Sequence, residues 1–169
     1  MSENEKHEGC NCGHEKTDAE ILAGQAEAKV NLAVMWLQKD RLDVAEIHLE
    51  AANKLLALSG ETENEAWASY YIARTAVAQA RGQKKAALRH ARKAFAISKK
   101  VHSADTYHLP LAQANFGECL AATGNRTGVI ILAEAIATLK AVDVGTAPHL
   151  VSWKEATLKE MTETLERLG

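Results

Sequence analysis

"LDVAEIHLEAANKLLAL", residues 42–58, is the stretch that decides the fold. Leu42, Ala45, Leu49, Ala52 and Leu56 step by three and four, which lays them along one face of an α-helix. The pattern returns 42 residues later in "KKAALRHARKAFAISKK" (84–100) and again in "RTGVIILAEAIATLKAV" (126–142). In that register Ala45, Ala87 and Val129 coincide, as do Ala52, Ala94 and Ile136. Asp40, Gly82 and Gly124 mark a tight turn ahead of each. The helices before the turns align as well: Asn31 matches Asn115, Leu32 matches Phe116, and Ala33 matches Gly117.

Working outward, the helix breakers fall at regular places. "QKDRLD" (38–43), "LSGETEN" (58–64), "ARGQKK" (80–85), "HSADTYHLP" (102–110), "ATGNRTG" (122–128) and "DVGTAP" (143–148) carry turn or N-cap residues. They leave seven helix-length segments between them. Of the 169 residues 47% are apolar but only 5% are aromatic, with two prolines, a balance that suits helices packed closely through small side chains. Each helix pair has an apolar face it cannot bury alone, so neighbouring pairs must stack on one another.

The 42-residue recurrence resembles the tetratricopeptide repeat, in the longer form found in kinesin light chains. That form carries an Asn-Leu-Ala motif, a turn Gly, and two alanines seven apart on the second helix. "NLAVMWLQKDRLDVAEIHLEAANKL" (31–55) follows it, with Asp40 replacing the Gly. "GQKKAALRHARKAFAI" (82–97) carries the second-helix half, and "ANFGECLAATGN" (114–125) the first. The first helix of the middle unit, "NEAWASYYIARTAVAQA" (64–80), departs most, with Arg74 and Thr75 where Leu and a small residue are expected. The resemblance implies an all-α, antiparallel helix-pair solenoid of about three units over residues 18–146, after a Cys/His-containing tail at 1–17. Residues 147–169, with Val151, Leu158, Met161, Leu165 and Leu168 on one side and Lys and Glu on the other, read as a capping helix.

Such a solenoid binds a protein or an extended peptide along its first helices. Carried over, the resemblance implies a groove lined by Val30, Asn31, Val34 and Gln38, then Ile72, Ala76 and Gln79, then Leu111, Asn115 and Glu118. An Asn amide both donates and accepts, so Asn31 and Asn115 could hold a peptide backbone without reading its sequence. The middle unit has Ala73 at that place. The basic clamp by which some members hold a C-terminal carboxylate is not expected, because Val30 and Val34 stand where its first cations would.

Charge is distributed unevenly. The formal net charge is −2, which recruits neither nucleic acid nor membrane. Yet no acid occurs between Glu65 and Asp105, while Lys84, Lys85, Arg89, Arg92 and Lys93 crowd one helix. That basic patch is either a solvated face or a site for an acidic protein surface; the lack of interleaved aromatics argues against nucleic acid.

No Ser/His/Asp order, phosphate loop or paired carboxylates mark a catalytic centre, and no enzyme is expected. His48, His90, His108 and His149 read as surface or capping residues, and Cys119 as a small buried apolar one. "HEGCNCGH" (7–14) gathers His7, Cys10, Cys12 and His14, enough donors for tetrahedral Zn²⁺, or for Cu(I) on the two thiolates. All four ligands share one tail, so an ion there would order little beyond it. No cofactor is required by the scaffold. The alternative to a peptide-binding scaffold is therefore a metal-responsive or metal-delivery accessory protein that uses this tail. The acidic, polar opening "MSENEKHEG" is unlike a secretory leader, and the expected location is cytoplasmic.

Overall fold

The computed structural model describes residues 16–103 and 106–169. Among them there is no strand. Seven α-helices follow one another: α1 (Asp18–Leu37), α2 (Leu42–Ser59), α3 (Glu65–Ala80), α4 (Lys84–Val101), α5 (His108–Ala121), α6 (Thr127–Ala141) and α7 (Pro148–Leu168).

Local chemistry sets their ends. Thr17 caps α1 in a reciprocal box: the Glu20 N–H donates to Thr17 Oγ1 at 3.2 Å and the Thr17 N–H to Glu20 Oε2 at 2.7 Å. At the start of α3, Asn64 Oδ1 accepts the Trp67 N–H at 2.9 Å. Pro148 opens α7, where a missing N–H costs nothing. Between α1 and α2 the chain reverses through Asp40 at φ 56°, with the Arg41 N–H donating to Trp36 O at 2.9 Å and the Asp40 N–H to Leu37 O at 3.0 Å. Gly82, at φ 68°, closes the same motif after α3: the Gln83 N–H donates to Ala78 O at 2.8 Å and the Gly82 N–H to Gln79 O at 2.9 Å. A residue in the left-handed region is what lets those two bonds satisfy the last carbonyls of a helix.

The broadest contacts join α1 to α2, α3 to α4, and α5 to α6. Each later helix also packs backwards: α3 on α1 and α2, α5 on α4 and α3, α7 on α6 and α5. Because α3 is covered from both sides, it buries two faces. Ala66, Tyr70, Ala73 and Val77 pack into a cluster with α1 and α2, and Ala78 joins Ala87, Ala91 and Cys119 in a second. A third cluster joins Ala114, Leu132, Ala135, Ile136 and Leu139 to Met161 of α7. The α1 residues that stand 42 before the first of those α3 faces are Gly24, Ala28, Asn31 and Met35, and all are exposed.

Two expectations need correction. Val30 does not face a groove: it is 2% exposed, one turn from Ala33 on the face of α1 that packs on α2. The 42-residue register also breaks in the third pair. On α2 the buried positions are Ala45, Leu49, Ala52 and Leu56, and on α4 Ala87, Ala91, Ala94 and Ser98 repeat them 42 residues later. On α6, however, Gly128, Leu132, Ala135 and Leu139 are buried, one residue earlier than that spacing requires; Ile136 is buried in register with Ala52 and Ala94, but Val129 is only half-buried. The cause lies in the first turn. Ala45 and Ala87 donate to the carbonyls four residues back, whereas Gly128 and Val129 donate to Asn125 and Arg126, three residues back. Such a tight first turn winds faster than the roughly 100° per residue of an α-helix, so the buried face arrives sooner.

Candidate functional site

One feature of the helix stack gathers polar side chains around an open space. Ile72 of α3, Leu111, Ala114, Asn115 and Glu118 of α5, Leu132 of α6, and Thr157, Glu160, Met161, Thr164 and Arg167 of α7 line a recess of about 340 Å³. An adjoining recess of about 450 Å³ is lined by Gln79, Gly82, Lys84, Ala87, Asn115, Glu118, Cys119, Ala122 and Glu160. Asn115, Glu118 and Glu160 line both recesses, which adjoin at these side chains and are together termed the channel.

Its walls follow from helix periodicity. On α5, Leu111, Asn115, Glu118 and Ala122 lie at steps of three and four, beside the buried face carrying Ala112 and Cys119. On α7, Thr157, Glu160, Met161, Thr164 and Arg167 do the same. Asn115 makes no side-chain hydrogen bond among the described residues, which leaves its amide for a ligand. Glu118 is half-buried, and its carboxyl is pushed above the usual carboxylate range by burial, against the pull of Arg167 and with a further push from Glu160. The Cys119 thiol is pushed up to about 12, first by burial and then by Glu118. It receives the Gln79 Nε2–H at 3.5 Å and is a protonated, poorly nucleophilic wall at neutral pH.

Of the residues expected along a groove, Ile72, Gln79, Asn115 and Glu118 come together here, with Leu111. Asn31 and Val34 on α1, and Gln38 just beyond its end, are exposed and line neither recess. The α7 residues were not anticipated. Their signal was present as a second, polar stripe beside the apolar stripe of 147–168, and a helix read as a lid hides it.

The basic residues divide. Lys84 stands at the rim of the channel, while Lys85, Arg89, Arg92 and Lys93 are exposed along α4. Lys93 Nζ lies 5.1 Å above the Tyr71 ring and 3.4 Å from its hydroxyl, a cation–π contact. Near this helix two other cations are paired, Arg81 with Glu46 and Lys100 with Glu63, both at 2.5 Å.

His90 departs from the surface role expected of it. It is half-buried, stacked on Tyr71 with ring centroids 6.0 Å apart, and its Nδ1 has no partner among the described residues. Burial, then Arg74, Arg89 and Lys93, bring it down to about 4, so the ring is neutral in ordinary buffers. His108 stacks on His102 at 4.7 Å, and burial followed by His108 lowers His102.

His7, Cys10, Cys12 and His14 lie outside the described residues. Among the described residues no group of three or more His, Cys, Asp or Glu side chains could hold a metal ion, and no helix is long and apolar enough to cross a membrane. Compared with known proteins, the chain matches no family model, no curated protein and no solved structure.

Proposed function

We propose that this chain is a non-catalytic scaffold of the tetratricopeptide kind, with three helix pairs and α7 as its end, that holds an extended peptide or a partner segment along the Asn115 channel. The observation that carries the reading is that two adjoining recesses share Asn115 in their lining. An unpaired amide stands there between an apolar floor, made by Leu111, Leu132 and Met161, and a polar rim. Amide groups bind a peptide main chain whatever its side chains, and apolar pockets beside them take alternate side chains. Asn31 and Val34, exposed on α1, and Gln38 just beyond its end would continue the track. The 42-residue spacing of Asp40, Gly82 and Gly124, each in the left-handed region, supports the repeat reading. A thiol held protonated and an unpaired amide are suited to contact rather than to nucleophilic chemistry.

The test is direct binding of fluorescent, randomised peptide pools to the full chain, followed by anisotropy. Asn115→Ala should weaken binding by about tenfold, equivalent to roughly 1.4 kcal/mol, with an unchanged melting temperature. Binding that is indifferent to Asn115, or a collapse of the fold in that variant, would remove the amide from the site. Asn31→Ala, made separately, reports whether the track reaches α1.

A further inference from the structure

We propose that the exposed face of α1 is a self-association surface, on which a second copy of this chain lays its own α1 antiparallel, about a two-fold axis at Ala28. Ile21, Gly24, Ala28, Leu32 and Met35 fall within an arc of about 80° of the helix, and all five are exposed. Among the described residues, four of the seven exposed large hydrophobic side chains lie on this one helix: Ile21, Leu32, Val34 and Met35. The face lies apart from the channel, since none of these residues lines either recess.

Two observations show that the face is built to be covered. Gly24, Ala28 and Met35 stand 42 residues before Ala66, Tyr70 and Val77 of α3, which are buried against the preceding pair, α1 and α2. On α1 the same positions meet solvent. Gly24 carries the second observation. Inside a helix glycine is less favourable than any residue except proline. The other two described glycines within helices, Gly117 and Gly128, each stand against the backbone of the neighbouring helix, where a Cβ would collide. A Cβ on Gly24 would meet nothing within 4 Å, and its backbone has no positive φ, so no described contact within the chain accounts for it. A second helix crossing closely at that point does.

The pattern of α1 is complementary to itself. Ile21 and Met35 stand equally far from Ala28 on either side, as do Gly24 and Leu32. An antiparallel pair therefore sets Ile21 against the partner's Met35, and Leu32 into the space that Gly24 of the partner subunit leaves. Lys39 then comes beside the partner's Asp18, so the ends of the pair match in charge. A parallel pair would oppose Lys39 to Lys39 and leave Gly24 facing only another glycine. The other end of the stack offers no substitute: on α7, Ser152, Glu155, Lys159, Glu163 and Glu166 are exposed and polar. Residues 1–16 contain no Ile, Leu, Val, Phe, Tyr or Trp with which to cover the stripe.

Sedimentation equilibrium tests the surface on the full chain, reduced and with chelator so that neither thiols nor a metal ion can link copies. The mass should be twice the 18.3 kDa of the chain at about 100 µM and fall toward the single-chain mass on dilution. Ala28→Glu and Leu32→Glu, at exposed positions, should each weaken association at least about hundredfold with unchanged helical content, because each buries an unpaired charge. Ile47→Glu, on the exposed side of α2, should leave association unchanged. Direction is read by disulfide trapping in a Cys10→Ser, Cys12→Ser background, which needs no disruptive substitution. Ile21→Cys mixed with Met35→Cys should cross-link, and neither variant should cross-link with itself. A single-chain mass at about 100 µM, or a dimer indifferent to both Glu variants on α1, overturns the surface. Cross-linking of each Cys variant only with itself overturns the antiparallel pairing.

Discussion

Gly117 of α5 and Gly128 of α6 meet backbone to backbone. A Cβ built on Gly117 would stand 2.8 Å from the Gly128 carbonyl oxygen and 2.8 Å from the Leu132 nitrogen. One built on Gly128 would overlap the Ala121 nitrogen and the Gly117 oxygen. In the first two pairs the equivalent buried residues are larger, Ala33 with Ala45 and Thr75 with Ala87. Thr75 is tolerated at full burial because its hydroxyl donates to Tyr71 O at 2.8 Å.

This geometry separates Gly128 from its neighbour. Gly128→Ala should lower stability by about 3 kcal/mol or more, since the atoms it meets are backbone and cannot rotate away. Val129→Ala, at a half-buried position, should cost about 1 kcal/mol. Urea denaturation of the two variants decides the register: a larger loss at Val129 would restore the uniform 42-residue spacing and sink the shifted one.

Asp40 offers a second measurement. It holds φ 56° where the equivalent turns have Gly82 and Gly124. The left-handed region costs a non-glycine residue about 1–2 kcal/mol, and glycine loses part of that gain to the entropy of the unfolded chain. Asp40→Gly should therefore raise stability by about 0.5–1 kcal/mol. Gly82→Ala should lower it by about 1 kcal/mol, and midpoints moving the opposite way would contradict the shared turn geometry.

His90 makes stability depend on pH. Its folded value, about 4, lies below the ordinary 6.5, so the unfolded chain binds a proton that the folded one refuses. This contribution is complete above about pH 6.5 and is lost as pH falls from there toward 4. His90→Phe keeps a ring on Tyr71 and removes the unpaired Nδ1. Its melting temperature should fall less than the wild type's between neutral and mildly acidic buffer. His102, lowered by burial and His108, leaves a residual slope in both proteins. Parallel pH profiles would show that His90 is already protonated in the fold.

Ser98 gives a prediction of unusual sign. It is fully buried on α4, where the register places Leu56 one repeat earlier, and its hydroxyl has no partner among the described residues. Removing an unsatisfied buried hydroxyl relieves a desolvation penalty, so Ser98→Ala should leave stability unchanged or raise it by up to about 1 kcal/mol. A clear loss in urea denaturation would reveal a hydrogen bond to Ser98.

Much of the helical framework was legible because it is written in short-range terms. Caps, breakers and apolar steps of three and four act within a few residues, so "LDVAEIHLEAANKLLAL" reads as a helix and Gly82 as a turn without any neighbour present. Two corrections come from positions where that local signal is silent. Val30 and Val34 are the same residue type four apart, and only the presence of α2 against one of them separates a buried valine from one 38% exposed. Val129 looks like the natural partner of Ala45 and Ala87 until the tight first turn of α6 rotates it off the crossing.

The site divides along the same line. From the sequence, Ile72, Gln79, Asn115 and Glu118 could be named only through the resemblance to tetratricopeptide repeats, which implies a groove along the first helices. What the sequence by itself determined about this protein is its helices and its turns, since each depends on contacts between residues near in the chain. Only the tertiary structure decided that α7 supplies Glu160 and Arg167 to the Glu118 channel, and that His90 of α4 stacks on Tyr71 of α3 with its Nδ1 unpartnered among the described residues. Those relationships join residues about 40 or more positions apart on α5 and α7, or on helices meeting side by side. No local pattern encodes them, because they depend on how far each helix turns about its own axis before it packs.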